Sequence, residues 1–344
     1  MTKLAVYCVL LILSILSSFA QQIKFVSLQD SNPLKNVLIF NPEGLLITNS
    51  DENGLIEIKL LPEKDHYFIA NYNNVVQDTV RLKEIKNNTF YLDTKIINLS
   101  EVVISKNNKN AEIIVVEGYF NNIITNNKRV TGYIEGKIQY LFDYNSKKYK
   151  DKKLLQYRIF KVKNSNVNHK EIETYDFDSY KLPELKKIAD FNSLKAKFKY
   201  DEKIDNQNFK DIYLTKVLLK EEESLKLFGF VFKNFYEKIN IQFNSNELNI
   251  NNLIFYSSIE SVDSKRKSET DFSSIQKIIN FYPDNLYYLT KKEAGETKEV
   301  SLDKNHSNYT TLFWQFIPMY KNVKSYEPFS FVEGLGVLDN KHNK

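Results

Sequence analysis

The chain has a single cysteine, Cys8, among 344 residues. Cys8 sits in the apolar run 4–16, which is expected to be cleaved away. That removal excludes a disulfide, a thiolate nucleophile and a Cys-ligated metal from what remains. Histidine is nearly as scarce: His66, His169, His306 and His342 are the four present, and none has Glu three residues on. That excludes the His-x-x-Glu and His-Glu-x-x-His metal motifs. With nine glycines in all, there is no Gly-x-Ser-x-Gly elbow, no P-loop and no Gly-x-Gly-x-x-Gly turn. No cofactor is expected, and no residue is assigned a catalytic, cofactor-binding or metal-binding role.

Charge of one sign is lacking too. The formal net charge is +5, and 47 basic and 43 acidic side chains follow residue 20. Nucleic-acid binders are more basic and cluster their charge, so no nucleic-acid partner is expected. The densest basic stretch, Lys147-Lys148-Tyr149-Lys150-Asp151-Lys152-Lys153, could meet an anionic surface; it reads first as a solvated turn between strands. Beyond residue 20 there is no apolar run of the roughly 20 residues that a spanning helix needs, so no membrane span is expected in the mature chain.

What is present begins with an export pattern. Lys3 supplies a short positive n-region, residues 4–16 an h-region, and Ser18-Phe19-Ala20 the small residues of a cleavage site. Residues 1–20 are therefore expected to be a signal peptide, cut before Gln21. From residue 23 to residue 93, short apolar runs alternate with turn residues, the spacing of an all-β sandwich. Strands are expected at 23–28, 37–40, 45–48, 55–60, 66–72, 75–82 and 89–92. Asp51-Glu52-Asn53-Gly54 is expected to close a hairpin, because Asn-Gly supplies the positive φ angles of a tight turn. Its likeness to a calcium loop lacks the further oxygen ligands and the late Glu.

The segment LQDSNPLKNVLIFNPEGLLITNSDENGLIEIKL, followed by Leu99-Ser100-Glu101-Val102-Val103-Ile104, resembles the carboxypeptidase regulatory-like domain of bacterial envelope proteins. Pro33-Leu34, Val37, Thr48, Ser50-Asp51 and Gly54 carry the likeness, over about 80 residues. The resemblance implies a seven-stranded, transthyretin-like β-sandwich over residues 21–105. It also implies an address in the periplasm or at the outer membrane and cell surface of a Gram-negative bacterium. That module is not itself a peptidase. The stretch VVEGYFNNIITNNKRVTGYIEGKIQYLFD resembles one often found downstream of it, with no activity attached.

Residues 106–344 are expected to form a β-dominated α+β domain, with the boundary in the polar run 106–109. Strands are expected at 112–119, 129–142 and 154–162, with two more around the Asn-rich turn within 240–256. Helices are expected at 184–190 after Pro183, at 216–227 with Gly229 as the stop, and at 273–280 ahead of Pro283. A hairpin is expected from 285–290 and 298–302.

Three groups of side chains invite a functional reading. On a strand, His169, Glu171, Glu173 and Tyr175 share one face, a set that could bind a divalent metal or serve as acid and base; it reads first as a solvent-facing strand with Ile172 turned toward the core. The aromatic string from Tyr309 to Tyr320, with Phe313, Trp314 and Phe316, could stack on a sugar or pack in a core. Glu221-Glu222-Glu223 reads as a solvated helix face. The expectation is a mainly β, exported, non-catalytic envelope protein that contacts an envelope protein or a glycan. The alternative is an enzyme whose site lies in the C-terminal domain, with His169, Glu171 and Glu173 as first candidates.

Overall fold

The computed structural model describes residues 22–41, 45–61, 67–72, 75–81, 85–92, 103–105, 110–162, 180–204, 210–245, 247–316 and 335–341. The protein is mainly β, and the chain divides into two compact units, residues 1–95 and 96–344. Among the described residues, no helix is long and apolar enough to cross a membrane.

The first unit contains β1 (Gln22–Ser27), β2 (Leu38–Phe40), β3 (Leu46–Asn49), β4 (Leu55–Glu57), β5 (Tyr67–Tyr72), β6 (Val75–Arg81) and β7 (Thr89–Leu92). They form two sheets, in the orders β4-β1-β7 and β3-β2-β5-β6. Phe25, Ile56 and Leu92 from one sheet share a core with Val37, Ile39 and Val80 around the other. Each buried aliphatic or aromatic side chain contributes on the order of 1.5–3 kcal/mol. The expected hairpin at Asp51–Gly54 is corrected: β3 pairs with β2 and β4 with β1, so these four residues carry the chain from one sheet to the other. The turn chemistry itself is as the composition suggests. Asp51 Oδ1 accepts from the Asn53 and Leu55 amides, both at 2.8 Å, and Gly54 has φ +74°. A tight turn specifies its own backbone angles, whereas the partner of the next strand is set by packing.

The second unit is one sheet. Its strands are β8 (Val103–Ser105), β9 (Ile113–Asn126), β10 (Arg129–Asp143), β11 (Tyr149–Val162), β12 (Lys199–Ile204), β13 (Lys210–Leu219), β14 (Leu225–Leu227), β15 (Phe230–Phe243), β16 (Leu253–Arg266), β17 (Ser273–Leu289) and β18 (Leu335–Val337). The order is β12-β13-β15-β16-β17-β9-β10-β11-β18, with β14 beside β15 and β8 parallel to β17. Two antiparallel meanders are thus joined where β17 meets β9. Tight turns close the hairpins: Asn127 and Lys128, both at positive φ, link β9 to β10. The division after residue 95 lies ahead of the boundary expected at 106–109, because Val103–Ser105 pairs with Asn285, Leu286 and Tyr287 of β17.

One face of this sheet carries a core of Ile114, Phe120, Ile138, Tyr157, Ile241 and Phe281, among others. Leu185, Ile188 and Leu194 pack into it from two short helices, α1 (Lys186–Ala189) and α2 (Phe191–Lys197). Bulges reset which side chains reach that core. Phe281 faces it before the shift at Pro283/Asn285, and Leu286 after it; one extra residue inverts the alternation.

Three further expectations are corrected here. Residues 216–227 form the end of β13, an exposed loop and β14 rather than a helix. Residues 273–280 are the start of β17. Ile275, Ile278 and Ile279 mimic helical spacing because both faces of that strand are buried, which erases the alternation of a half-buried strand. In place of the 285–302 hairpin, β17 runs to Leu289 and a helix follows, α3 (Lys291–Glu296). Thr290 and Glu293 form its capping box, a Thr-x-x-Glu signal present in the sequence.

Candidate interaction surface

The opposite face of the second sheet holds a transverse polar row. Asn240, Ser257, Asn280, Asn121, Glu135 and Arg158 are successive register partners across six strands, and all are buried. Asn280 Nδ2 donates to Asn121 Oδ1 at 3.2 Å. Arg158 pairs with Glu135, and Tyr133 donates its hydroxyl proton to Glu135 Oε2 at 3.1 Å. The Arg158 guanidinium lies 4.1 Å from the centroid of the Trp314 ring. A second network stands nearby: Gln139 and Tyr287 donate to Glu117 at 2.6 and 3.1 Å, and Lys137 pairs with it. These charges are matched to one another within the sheet. Their physical role is register, since a slipped strand would leave a buried charge unpaired.

A different arrangement occurs at the outer end of β14 and β15. β13 and β14 pair with the same edge of β15, and residues 220–224 loop out between them. Phe228 and Gly229 join β14 to β15 as a two-residue turn with φ +45° and +84°, the type I′ geometry that favours Asn-Gly. A phenylalanine there costs about 1–2 kcal/mol in backbone strain, and the residue is 90% exposed. Register places Leu225 opposite Phe232 and Leu227 opposite Phe230, so these four side chains share a face. Leu225 and Leu227 are exposed, as are Val217 and Leu218 on β13.

The other face of the same hairpin is cationic. Lys226, Val231 and Lys265 are successive partners. Lys233 and Lys265 lie over the Phe272 ring at 4.6 and 4.9 Å. Arg266 and Lys267 bring the cations around this end to five, matched by Asp263, Glu269 and Asp271 and by Glu221, Glu222 and Glu223 of the adjoining loop; register sets Arg266 opposite Phe230, on the apolar face. The result is a β-hairpin whose Leu225, Leu227 and turn residue Phe228 meet solvent, while Phe232 on the same face is buried. Scattered exposed apolar residues are ordinary, whereas a contiguous group marks a contact surface.

The residues singled out from the sequence fall as follows. His169, Glu171, Glu173 and Tyr175 lie outside the described residues, as do residues 317–320 of the aromatic string and the expected signal peptide. Phe313 and Trp314 are buried and meet edge to face at 5.2 Å; Tyr309 meets Trp314 at 4.9 Å. The basic stretch is partly committed. Lys150 pairs with Asp143 at 3.1 Å, and Lys153 Nζ donates to the Ala294 and Thr297 carbonyls at 2.6 and 3.1 Å, at the C-terminal end of α3. Glu221, Glu222 and Glu223 are exposed in the loop between β13 and β14, not on a helix. Among the described residues, no group of three or more His, Cys, Asp or Glu side chains could hold a metal ion. Sequence reasoning missed the hairpin end: Phe-Gly between two apolar runs was its signal, and it read as a helix terminus.

No protein-family model matches the chain, and no curated protein matches it.

Proposed function

We propose that this protein is an exported, non-catalytic component of a Gram-negative cell envelope. Its first unit is a carboxypeptidase regulatory-like, transthyretin-like sandwich. Its second unit presents a contact surface for another envelope component. The observation that carries the contact is the outward turn Phe228-Gly229 with Leu225 and Leu227 beside it. An aromatic residue at positive φ does not help the fold, and its exposure has a purpose if something binds there. The two sheets of the first unit, and the backbone roles of Asp51 and Gly54 within the motif-bearing segment, support the sandwich reading.

The test places a photoreactive benzophenone amino acid at position 228 of the full chain and irradiates envelope fractions. A reproducible cross-linked species is expected. It should be absent when the same group replaces Tyr144, an exposed residue on the turn after β10. Identical products from the two positions would remove the assignment of this surface.

A further inference from the structure

We infer that the occupant of the β14–β15 hairpin end is a second copy of this chain, docked edge to edge and antiparallel; the inference rests on the contact surface proposed above. β12 pairs with β13 only from Lys210 to Thr215, and β14 has its one partner in β15. Among the described residues, no strand therefore covers the outer edge of β14, or that of β13 beyond Thr215. Such an edge presents backbone amides and carbonyls to any strand that comes alongside. The same stretch carries Val217, Leu218, Leu225, Leu227 and Phe228, all exposed. Edges are ordinarily blunted by charge, proline or a cover, whereas this one is apolar along most of its length.

Two features single out a copy of the chain itself. The first is spacing. Register on β15 sets Val217 opposite Tyr236, Leu225 opposite Phe232 and Leu227 opposite Phe230, so Val217 and the Phe228 turn flank Leu225 on either side. A twofold axis through the sheet near Leu225 brings Phe228 of each copy beside Val217 and Leu218 of the other, and all five side chains leave water together. Both copies use the same patch, the isologous contact of a closed dimer. The second is charge. Glu221, Glu222 and Glu223 stand on one side of Leu225 and Lys226 on the other. An antiparallel copy sets each lysine beside the glutamates of its mate, so charges that would guard this edge in isolation are matched across the axis. A patch of one sign would repel its own copy; this one carries both.

The experiment is sedimentation velocity of the full chain over a range of concentrations. A concentration-dependent dimer is expected, and the cross-linked species from position 228 should have twice the mass of the chain. Leu225→Lys with Leu227→Lys, both at exposed positions, should weaken dimerisation about tenfold or more, as lysines on an edge do, with the melting temperature of the dilute protein unchanged. Glu222→Lys alone and Lys226→Glu alone should each weaken it, because each sets like charges across the axis. Mixing these two variants should restore a dimer, since the two altered side chains then face each other. A monomer at every concentration overturns the inference, as does a dimer indifferent to the leucine substitutions. So does a mixture that associates no more tightly than either variant by itself. If the chain is monomeric but position 228 still cross-links to a different protein, the second copy is refuted and the contact surface stands. If neither dimer nor cross-link is found, both readings fall.

Discussion

Gly118 stands opposite Pro283 where β9 meets β17, and a Cβ on Gly118 would lie 2.2 Å from the Tyr282 carbonyl oxygen and 2.9 Å from the Phe281 ring. The two residues solve one problem. Pro283 has no amide proton for the ladder, and it is accommodated at a register shift in β17, as prolines in sheets are. The resulting close approach leaves room for glycine alone.

Gly118→Ala is therefore expected to destabilise the second unit by about 3 kcal/mol, the upper end for overpacking, because the obstructing atom is backbone and not a flexible side chain. Urea unfolding measures it. A change under about 0.5 kcal/mol, the range of neutral surface substitutions, would show that β9 and β17 do not approach this closely.

The Glu135–Arg158 pair yields a second prediction. Both side chains are buried, so Glu135→Leu alone or Arg158→Met alone strands a charge and should cost about 3–5 kcal/mol. The double variant should cost much less than the sum of the two. Additive losses in the thermodynamic cycle would mean the two charges are not paired.

In the first unit, Ser50 is buried and bonded twice. Its hydroxyl donates to the Leu34 carbonyl at 2.6 Å and accepts from the Val37 amide at 2.9 Å. Ser50→Ala leaves both backbone groups without that partner and should cost about 1–3 kcal/mol. Ser50→Thr keeps the hydroxyl and serves as the comparison. Equal melting temperatures for Ser50→Ala and the wild type would contradict this role.

Alkaline pH should destabilise the protein. Burial, together with the carboxylates of Asp284 and Glu117, pushes the Tyr119 phenol up to about 12. Burial likewise raises Tyr140, Tyr256 and Tyr287 above the ordinary value near 10. A phenol with a raised folded pKa contributes stability that is complete below pH 10. That contribution is lost as pH climbs toward 12, because the unfolded chain releases its proton first. Phenolate absorbance followed against pH should show late-titrating tyrosines that move to about 10 in urea, and Tyr119→Phe should remove one of them. A titration unchanged by urea would sink the prediction.

Local chemistry made much of the fold readable in advance. The strands of the first unit, and β9, β10 and β11, begin or end close to where apolar runs and turn residues put them, whereas the pair expected within 240–256 covers only the end of β15 and the start of β16. The turn signals at Asp51–Gly54 act through the backbone of their own few residues, so the sequence by itself determined them. Tertiary structure decided the rest. Which sheet β4 joins depends on the packing of Ile56 beside Phe25, and no residue of the turn encodes that. Residues 273–280 look helical until both faces of β17 are seen to be buried. The leucines and phenylalanines of 217–232 have the same composition as a core segment. Only the three-dimensional arrangement places Phe232 inside and Phe228 in solvent, because exposure depends on what lies opposite a side chain, and that is supplied by distant parts of the chain.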